Sequence, residues 1–431
     1  MSCFFRILAC AVLLLLSMQQ SVLAENYIEV TASGNRQQRL AIVPPQPQGG
    51  LTNPALANEL AEAISFDLAM SGIVTAEKRN ASPLPGGLGL AAIDYNPWLS
   101  AGFDLLIRGE YILHGTDLTI EFRLYDVSAK KMLTAKRFLG KERELRRYAH
   151  SFSDEVLRIL TGERGSFSSK LLFVSNQTGN KELYLMDWDG QNLQQLTANR
   201  SINISPDISP DGRDIIFTSY KRGNPDLYLR ALSSTVEVPI STRRGLNTTG
   251  AWSPDGKRIA LSLSKDGNTE IYTIARDGSD PKRLTVSRAA NVSPAWSPDG
   301  KQIAFVSDRF GSPQLFVMDA NGGNLKRLSS GGGYIASPAW SPKGDQLAYV
   351  RRAGGFQIVV AQADGTGEIQ LTSVGSNERP RWSPDGRLIA FSSQRGGAEA
   401  IYVMRADGSG QTKVGRTRGK GQHPVWTPLP K

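Results

Sequence analysis

Cysteine is nearly absent from this sequence of 431 residues. The two that occur, Cys3 and Cys10, lie in a leader that contains Arg6, an apolar stretch over residues 7–16 and a small-residue site before Glu25. This pattern is typical of a cleavable secretory signal peptide. We therefore predict an exported chain with no disulfide, thiolate metal site or cysteine nucleophile.

Long apolar runs are also missing beyond the leader, whose apolar core is itself too short to span a bilayer. We expect no direct insertion into a membrane. The net charge of +10 and the isoelectric point near 9.5 would suit a nucleic-acid partner. However, no Lys/Arg run with interleaved aromatic residues occurs, and export removes such a partner, so we predict no nucleic-acid binding.

Histidine is scarce too, because only His114, His150 and His423 occur and no two have the spacing of paired metal ligands. A Gly-x-Ser-x-Gly nucleophile elbow and a sialidase-type S-x-D-x-G-x-T-W box are both lacking. We expect His114 in a turn and His150 on a helix to be solvated surface residues. The sequence thus predicts no catalytic residue, although an exported hydrolase of the peptidase or sialidase type is the alternative.

What the chain does have is a five-residue motif, W-S-P-D-G, that returns every 42 to 44 residues. That period is typical of β-propeller blades. The S-P-D-G tetrad fits a type I turn, and two apolar strands, a DG or NG hairpin signal and a short further strand follow it. Each unit therefore predicts four antiparallel strands, A to D. The copies begin at Ile208, Trp252, Trp296, Trp340 and Trp382, with a truncated copy at Trp426.

The two ends of the repeat region complement each other. A B-like strand at 171–174 has no A strand before it, and the last A strand, at 424–426, has no B strand after it. We predict a ring of six blades, one of them built from both ends, with the proline-bearing A strands at the inner edge. Residues ahead of the ring predict a mixed α/β fold with an open sheet, with strands at 28–31 and 39–43, a helix at 54–71, a hairpin of 103–112 and 118–127, and a helix at 142–161. The predicted domains are a signal peptide (1–24), an α/β domain (25–165) and a WD-like, all-β six-bladed propeller (166–431).

The α/β stretch, the helix ERELRRYAHSFSDEVLRILTGERG and repeats of the form W-S-P-D-G-K-x-I-A-F together resemble the TolB family, periplasmic propellers of the Tol-Pal system in Gram-negative bacteria. The resemblance covers essentially the whole exported chain. It implies a monomeric, non-enzymatic periplasmic adaptor that binds the lipoprotein Pal through one propeller face and TolA through its extreme N-terminus. Such proteins maintain outer-membrane integrity and support constriction at cell division.

The same resemblance bears on ligands of the channel. It implies that the channel can hold Ca²⁺ and admit bacteriocins, and that further envelope proteins can bind, with no cofactor required. Asp211, Asp255, Asp299 and Asp385 occupy turn positions that aspartate favours for local reasons, so the sequence leaves the metal undetermined.

The predicted mature N-terminus, residues 25–35, alternates Tyr27 and Glu29 with Ile28 and Val30. This is the pattern of a half-buried strand, which can dock on the protein or add to a partner's sheet. By resemblance the partner is TolA. The predicted binding residues are Glu25, Tyr27, Ile28, Glu29 and Val30.

Propeller topology separates the charges. The A–B and C–D turns form one face, here the turn face, and the B–C and D–A loops form the other, the loop face. Turn-face acids are Asp189, Asp211, Asp255, Asp277, Asp299, Asp364, Asp385 and Asp407. Loop-face cations are Lys221, Arg222, Arg243, Arg244, Arg288, Arg309, Arg351, Arg352, Arg379, Arg395, Arg416, Arg418 and Lys420.

This segregation predicts that an acidic partner docks on the loop face, because complementary fields guide association and arginine pairs well with carboxylates. Pal and a bacteriocin peptide are the expected occupants. The predicted contacts are Arg200, Asn203, Asn247, Arg288, Asn291, Asn377, Arg379 and His423.

Overall fold

The computed structural model describes residues 37–79, 93–329, 333–415 and 418–430. The predicted signal peptide and the strand predicted at 28–31 lie outside these residues. Within them, the N-terminal part of the chain forms a mixed sheet in the order β3-β1-β4-β5-β6, with β2 also paired to β4. Its elements are β1 (Gln38–Ile42), β2 (Gln46–Gly50), α1 (Pro54–Ser71), β3 (Val74–Lys78), α2 (Asn96–Ser100), β4 (Leu105–His114), β5 (Asp117–Asp126), β6 (Lys131–Lys141) and α3 (Leu145–Thr161).

Strand β1 is parallel to β3 and β4, whereas β4, β5 and β6 form an antiparallel meander. Helix α1 starts where its sequence predicts, since Asn53 Oδ1 accepts from Leu56 N at 3.1 Å and Pro54 takes the first turn. Gly72 ends it with φ +72°. The helix predicted from residue 142 begins as a 3-10 turn, Glu142–Glu144, before α3. No helix in the described ranges has the length and hydropathy to cross a membrane.

The rest of the described chain forms six four-stranded antiparallel sheets, which are the blades of a β-propeller. The predicted fold class is thereby confirmed. The propeller strands are β7 (Lys170–Ser175), β8 (Glu182–Asp187), β9 (Gln194–Gln195), β10 (Asn203–Ile208), β11 (Asp214–Ser219), β12 (Asp226–Ala231), β13 (Glu237–Ser241), β14 (Asn247–Trp252), β15 (Arg258–Leu263), β16 (Glu270–Ala275), β17 (Lys282–Arg283), β18 (Asn291–Trp296), β19 (Gln302–Ser307), β20 (Gln314–Asp319), β21 (Lys326–Arg327), β22 (Ile335–Trp340), β23 (Gln346–Arg352), β24 (Phe356–Gln362), β25 (Ile369–Gln370), β26 (Asn377–Trp382), β27 (Leu388–Ser393), β28 (Ala400–Arg405), β29 (Thr412–Lys413) and β30 (Gly421–Trp426).

The ring closes as the sequence predicts. Strand β30 pairs antiparallel with β7, placing Trp426 opposite Leu171, and β8 and β9 complete that blade. The first strand of each blade lines the central channel, which agrees with the prolines that those strands carry. Closure removes a free sheet edge at this point.

One apolar core continues from the α/β region into the propeller. Trp188 is fully buried at the junction, where its ring stacks on Phe66 with centroids 5.0 Å apart and lies 6.3 Å from the ring of Trp426. Each buried aromatic ring of this kind contributes several kcal/mol, roughly 25 cal/mol for each Å² of apolar surface removed from water. The contact between the two parts is therefore packed like a protein interior. The predicted domain limit between residues 165 and 166 stays a prediction.

Candidate functional site

The α/β region sits on the turn face of the propeller. Arg405 Nη2 donates to the carbonyl of Ala69 at 2.8 Å, and Arg387 Nη2 donates to Thr161 Oγ1 at 3.1 Å. Both propeller residues belong to the turn side of the β26–β29 blade. These contacts of the described α/β residues therefore lie on the turn face and not on the loop face, which is on the opposite side of the disc.

A buried ionic cluster joins the two parts of the protein. His150 Nδ1 lies 2.9 Å from Asp67 Oδ2, and its Nε2 lies 3.3 Å from Asp189 Oδ2. Arg146 also pairs with Asp189, while Trp188 Nε1 donates to Asp67 Oδ1 at 3.1 Å. The expectation that His150 is a solvated surface residue is wrong, because only 2% of the residue is exposed. Its helix face turns into the interface instead of toward water.

Opposing effects set the protonation of this cluster. Burial by itself lowers the pKa of His150, but the charges and hydrogen bonds of Asp67 and Asp189 outweigh it and raise the pKa to about 10. Burial likewise raises the pKa of Asp189, yet His150 and Arg146 bring it down to about 2. At neutral pH the imidazolium and the Asp189 carboxylate form an ion pair, which makes Asp189 part of the interface and not a free turn-face acid.

The geometry of the cluster also resembles a metal site, since ligand atoms of His150, Asp187 and Asp189 lie within 4.8 Å of one another. Protein cations already occupy it, however. Lys170 Nζ is 2.6 Å from Asp187 Oδ1, and Arg146 pairs with Asp189. We therefore interpret the cluster as a structural ion network.

A backbone feature missed by sequence reasoning shapes the channel. In every inner strand the third residue has a positive φ, between +50° and +57°, and the ladder to the second strand is interrupted there. Non-glycine residues rarely adopt this conformation. The sequence signal for this bulge is a proline directly after the third residue in five of the six strands, since proline inside a sheet is typical of bulges. The six residues are Ser205, Thr249, Ser293, Ser337, Arg379 and His423.

The four predicted asparagines lie at the start of their inner strands and are fully buried. Asn291 Nδ2 donates to Glu270 Oε2 at 2.7 Å, and Asn377 Nδ2 donates to Gln357 Oε1 at 2.9 Å. Asn203 makes a bond of the same kind to Glu182, so three loops are tied to the third strand of the neighbouring blade, whereas Asn247 bonds Ser241 and the backbone of its own loop. The asparagines therefore hold the loop face in shape without presenting their side chains to a partner. The full set is Asn203, Asn247, Asn291 and Asn377.

Two groups of predicted arginines behave differently. Arg200 and Arg288 are exposed on the loops that precede β10 and β18. Arg309 and Arg395 of the loop-face set instead stack on aromatic rings, with Arg395 4.8 Å from the ring centroid of Tyr402. Arg200 and Arg288 are therefore available to bind carboxylates of a partner. Arg309 and Arg395 are held against aromatic rings of their own blades.

Arg379 and His423 line the channel together with Arg381, which sequence reasoning missed. Burial, followed by the charge of Arg381, lowers the pKa of Arg379 to about 10, so it stays protonated at neutral pH. Burial and the charges of Arg379, Lys181 and Arg381 lower the pKa of His423 well below 6.5. His423 Nδ1 accepts a hydrogen bond from Ser205 N at 2.8 Å, which defines a neutral imidazole protonated on Nε2.

The residues of the channel do not fit Ca²⁺. This ion requires six to eight oxygen ligands, usually with several carboxylates. Among the described residues that line the cavity there is no carboxylate, whereas two arginines are present. Hydroxyls of Ser205, Thr249, Ser293 and Ser337 supply the remaining polar side chains besides His423.

Apolar side chains are also exposed on the loop face. All lie in loops of the loop face, and exposure ranges from 39% for Leu246 to 80% for Val286. Apolar groups interspersed with arginine are typical of the central part of protein interfaces. Because each of these apolar residues stands alone in a polar loop, the sequence shows no hydrophobic periodicity that would have revealed them. They are Ile202, Leu246, Val286, Phe310, Tyr334 and Val374.

Fold and site together define a β-propeller protein in which the described part of an N-terminal α/β region packs against one face of the ring. Two family models match the chain: the TolB beta propeller domain over residues 157–430 and the TolB amino-terminal domain over residues 26–133. The chain belongs to the TolB family.

Individual relatives agree with this assignment. The chain is 65% identical over 402 residues to the Tol-Pal system protein TolB of Geobacter sulfurreducens, covering 93% of each chain. It is 65% identical over 404 residues to the protein of the same name from Geobacter metallireducens, covering 94% of each. The crystal structure of TolB from Acinetobacter baumannii is similar with a TM-score of 0.79 at 27% identity, over 91% of this chain and 97% of that one.

Proposed function

We propose that this chain is a non-enzymatic adaptor of the Tol-Pal system in the periplasm of a Gram-negative envelope. It binds Pal through the loop face and TolA through residues 25–35, and thereby maintains outer-membrane integrity and supports constriction at division. The observation that carries the docking proposal is that the described α/β residues contact the turn face and not the loop face. The names of the Geobacter relatives support the assignment of this chain to the Tol-Pal system.

The loop face has both components that a protein partner needs. Exposed cations supply long-range attraction to an acidic surface, and the exposed apolar residues of the same face supply area that is buried on contact. The exposed cations include Arg200, Arg222, Arg244, Arg288, Arg352, Arg418 and Lys420. Buried asparagines beneath them keep the loops in one conformation, which lowers the entropy lost on binding.

The rival proposal, an exported hydrolase, has little support among the described residues. His150 is held between Asp67 and Asp189, and His423 Nδ1 is occupied by a backbone N–H, so neither has the free nitrogen of a general base. His114 is exposed at a hairpin turn. A peptidase or sialidase turnover that a point substitution abolishes would restore the rival.

Charge reversal tests the docking face. Arg288→Glu on the loop face should weaken Pal binding at least about tenfold and reduce its salt dependence, as measured by calorimetric titration at several salt concentrations. Arg213→Glu is the matched control, because Arg213 is an exposed turn-face arginine with 82% of its side chain accessible. It should leave the affinity unchanged. If Arg213→Glu is the variant that weakens binding, Pal docks on the turn face.

A further inference from the structure

The channel contains two arginines without an acidic partner. Arg379 and Arg381 lie two residues apart on β26, and both line the cavity at the centre of the ring. Among the described residues, neither guanidinium has a hydrogen bond or a carboxylate within 4.0 Å. Both residues are partly buried, and an arginine withdrawn from water is normally paired because an uncompensated charge there is costly.

No surrounding acid forms an ion pair with these arginines. The charges of Glu378 and Glu399 favour protonated Arg379 from a distance, but neither carboxylate lies within 4.0 Å of its guanidinium, and Glu399 accepts from Gln422 Nε2 at 2.5 Å. Asp207 acts on Arg381 from a distance, but its Oδ2 accepts from Trp252 N at 2.8 Å. The positive charge therefore has no partner of its own in the channel.

The other side chains that line the cavity also favour a negatively charged ligand. Serine hydroxyls at 205, 293 and 337 can donate hydrogen bonds, and the neutral His423 carries its proton on Nε2. The cavity has a volume of about 40 Å³, which accommodates roughly three water-sized groups. That is enough for one carboxylate or one phosphate group. The planar guanidinium fork matches both geometries.

We propose that the channel of this protein binds an oxyanion, a single carboxylate or phosphate group, between Arg379 and Arg381. The anion supplies the negative charge that no side chain lining the cavity provides. The two guanidinium groups would repel a cation from the same position. This proposal does not depend on the proposed adaptor function. The same two arginines would bind a free anion in the periplasm or a carboxylate of a docked partner.

Calorimetric titration of the full exported chain with sodium phosphate and, separately, with sodium acetate tests the site at constant ionic strength. Saturable binding of either anion is expected, and the tighter of the two identifies a phosphate or a carboxylate ligand. Arg379→Gln and Arg381→Gln should each weaken that binding at least about tenfold, since a charged hydrogen-bond partner is lost. Arg213→Gln, at an exposed arginine of the turn face that lies outside both proposed sites, should bind as the unaltered chain does.

Stability provides a second measurement that does not depend on affinity. Without anion, Arg379→Gln should melt no lower than the unaltered chain, because it removes an unpaired charge from a desolvated site. Absence of saturable binding for both anions, equal binding by the glutamine variants, or saturable binding of calcium chloride in place of both anions would each overturn the proposal.

Discussion

At the level of residues, His150 is the clearest electrostatic feature of the protein. It lies between two carboxylates, Asp67 on α1 and Asp189 in a propeller turn, so one imidazolium contributes to both halves of the interface. Removing one member of a buried ion pair is strongly destabilising because the remaining charge is left uncompensated. The sequence pattern of α3 does not reveal this role, since the partners are 83 and 39 residues away along the chain.

His150→Ala should therefore lower the free energy of unfolding by about 3–5 kcal/mol. Urea titration followed by circular dichroism measures the change. His114→Ala is the matched control at an exposed histidine, and it should change stability by less than about 0.5 kcal/mol. Similar values for the two variants would contradict the interpretation.

The pH dependence has a definite sign. The pKa of His150 is about 10 in the folded protein and about 6.5 when unfolded, so its stabilising contribution is complete below about pH 6.5 and disappears as the pH rises through 10. We expect the free energy of unfolding to fall between pH 7 and pH 10. In His150→Ala this slope should be smaller, and an identical slope would assign the dependence to other groups.

At the level of elements, the inner strands of the propeller determine the chemistry of the channel. Inner strands with positive φ at their third residue bring six side chains to the channel, and only β26 and β30 place arginine and histidine there. The other four strands place serine or threonine at that position. The chemical character of the channel thus arises from two blades of a nearly regular ring.

The proposed TolA-binding segment, residues 25–35, carries a prediction of its own. Deleting residues 25–34 should abolish TolA binding and leave the melting temperature nearly unchanged, because termini contribute little stability unless they are packed. A pull-down with TolA and a thermal melt measure both effects. Pal binding by the same variant is the control and should persist. Retained TolA binding would contradict the prediction.

At the level of the whole molecule, the α/β region and propeller share one core and one ionic cluster. The described α/β residues pack against the turn face, and the docking surface that we propose is the loop face on the other side of the disc.

A shared core predicts joint unfolding. Scanning calorimetry of the unaltered chain should show one transition, with a calorimetric enthalpy close to the van't Hoff enthalpy. The same experiment on His150→Ala should show a lower transition temperature. Two well-separated transitions in the unaltered chain would indicate that the contact across the turn face is weak.

The sequence by itself determined the number of blades and the closure of the ring. These follow from local rules, because turn residues recur with the blade period and successive loops must alternate between faces. The first helix and the hairpin of the α/β region follow from the same kind of local signal.

Only the tertiary structure decided which polar residues are buried and what they meet. Asn291 and Asn377 are bracing groups, His150 is an interface cation, and Arg379 and Arg381 share an enclosed channel. These roles depend on residues far apart in the chain, and on the charge that burial leaves unpaired. A sequence read along one strand or helix carries no information about either, since desolvation is a property of the assembled ring.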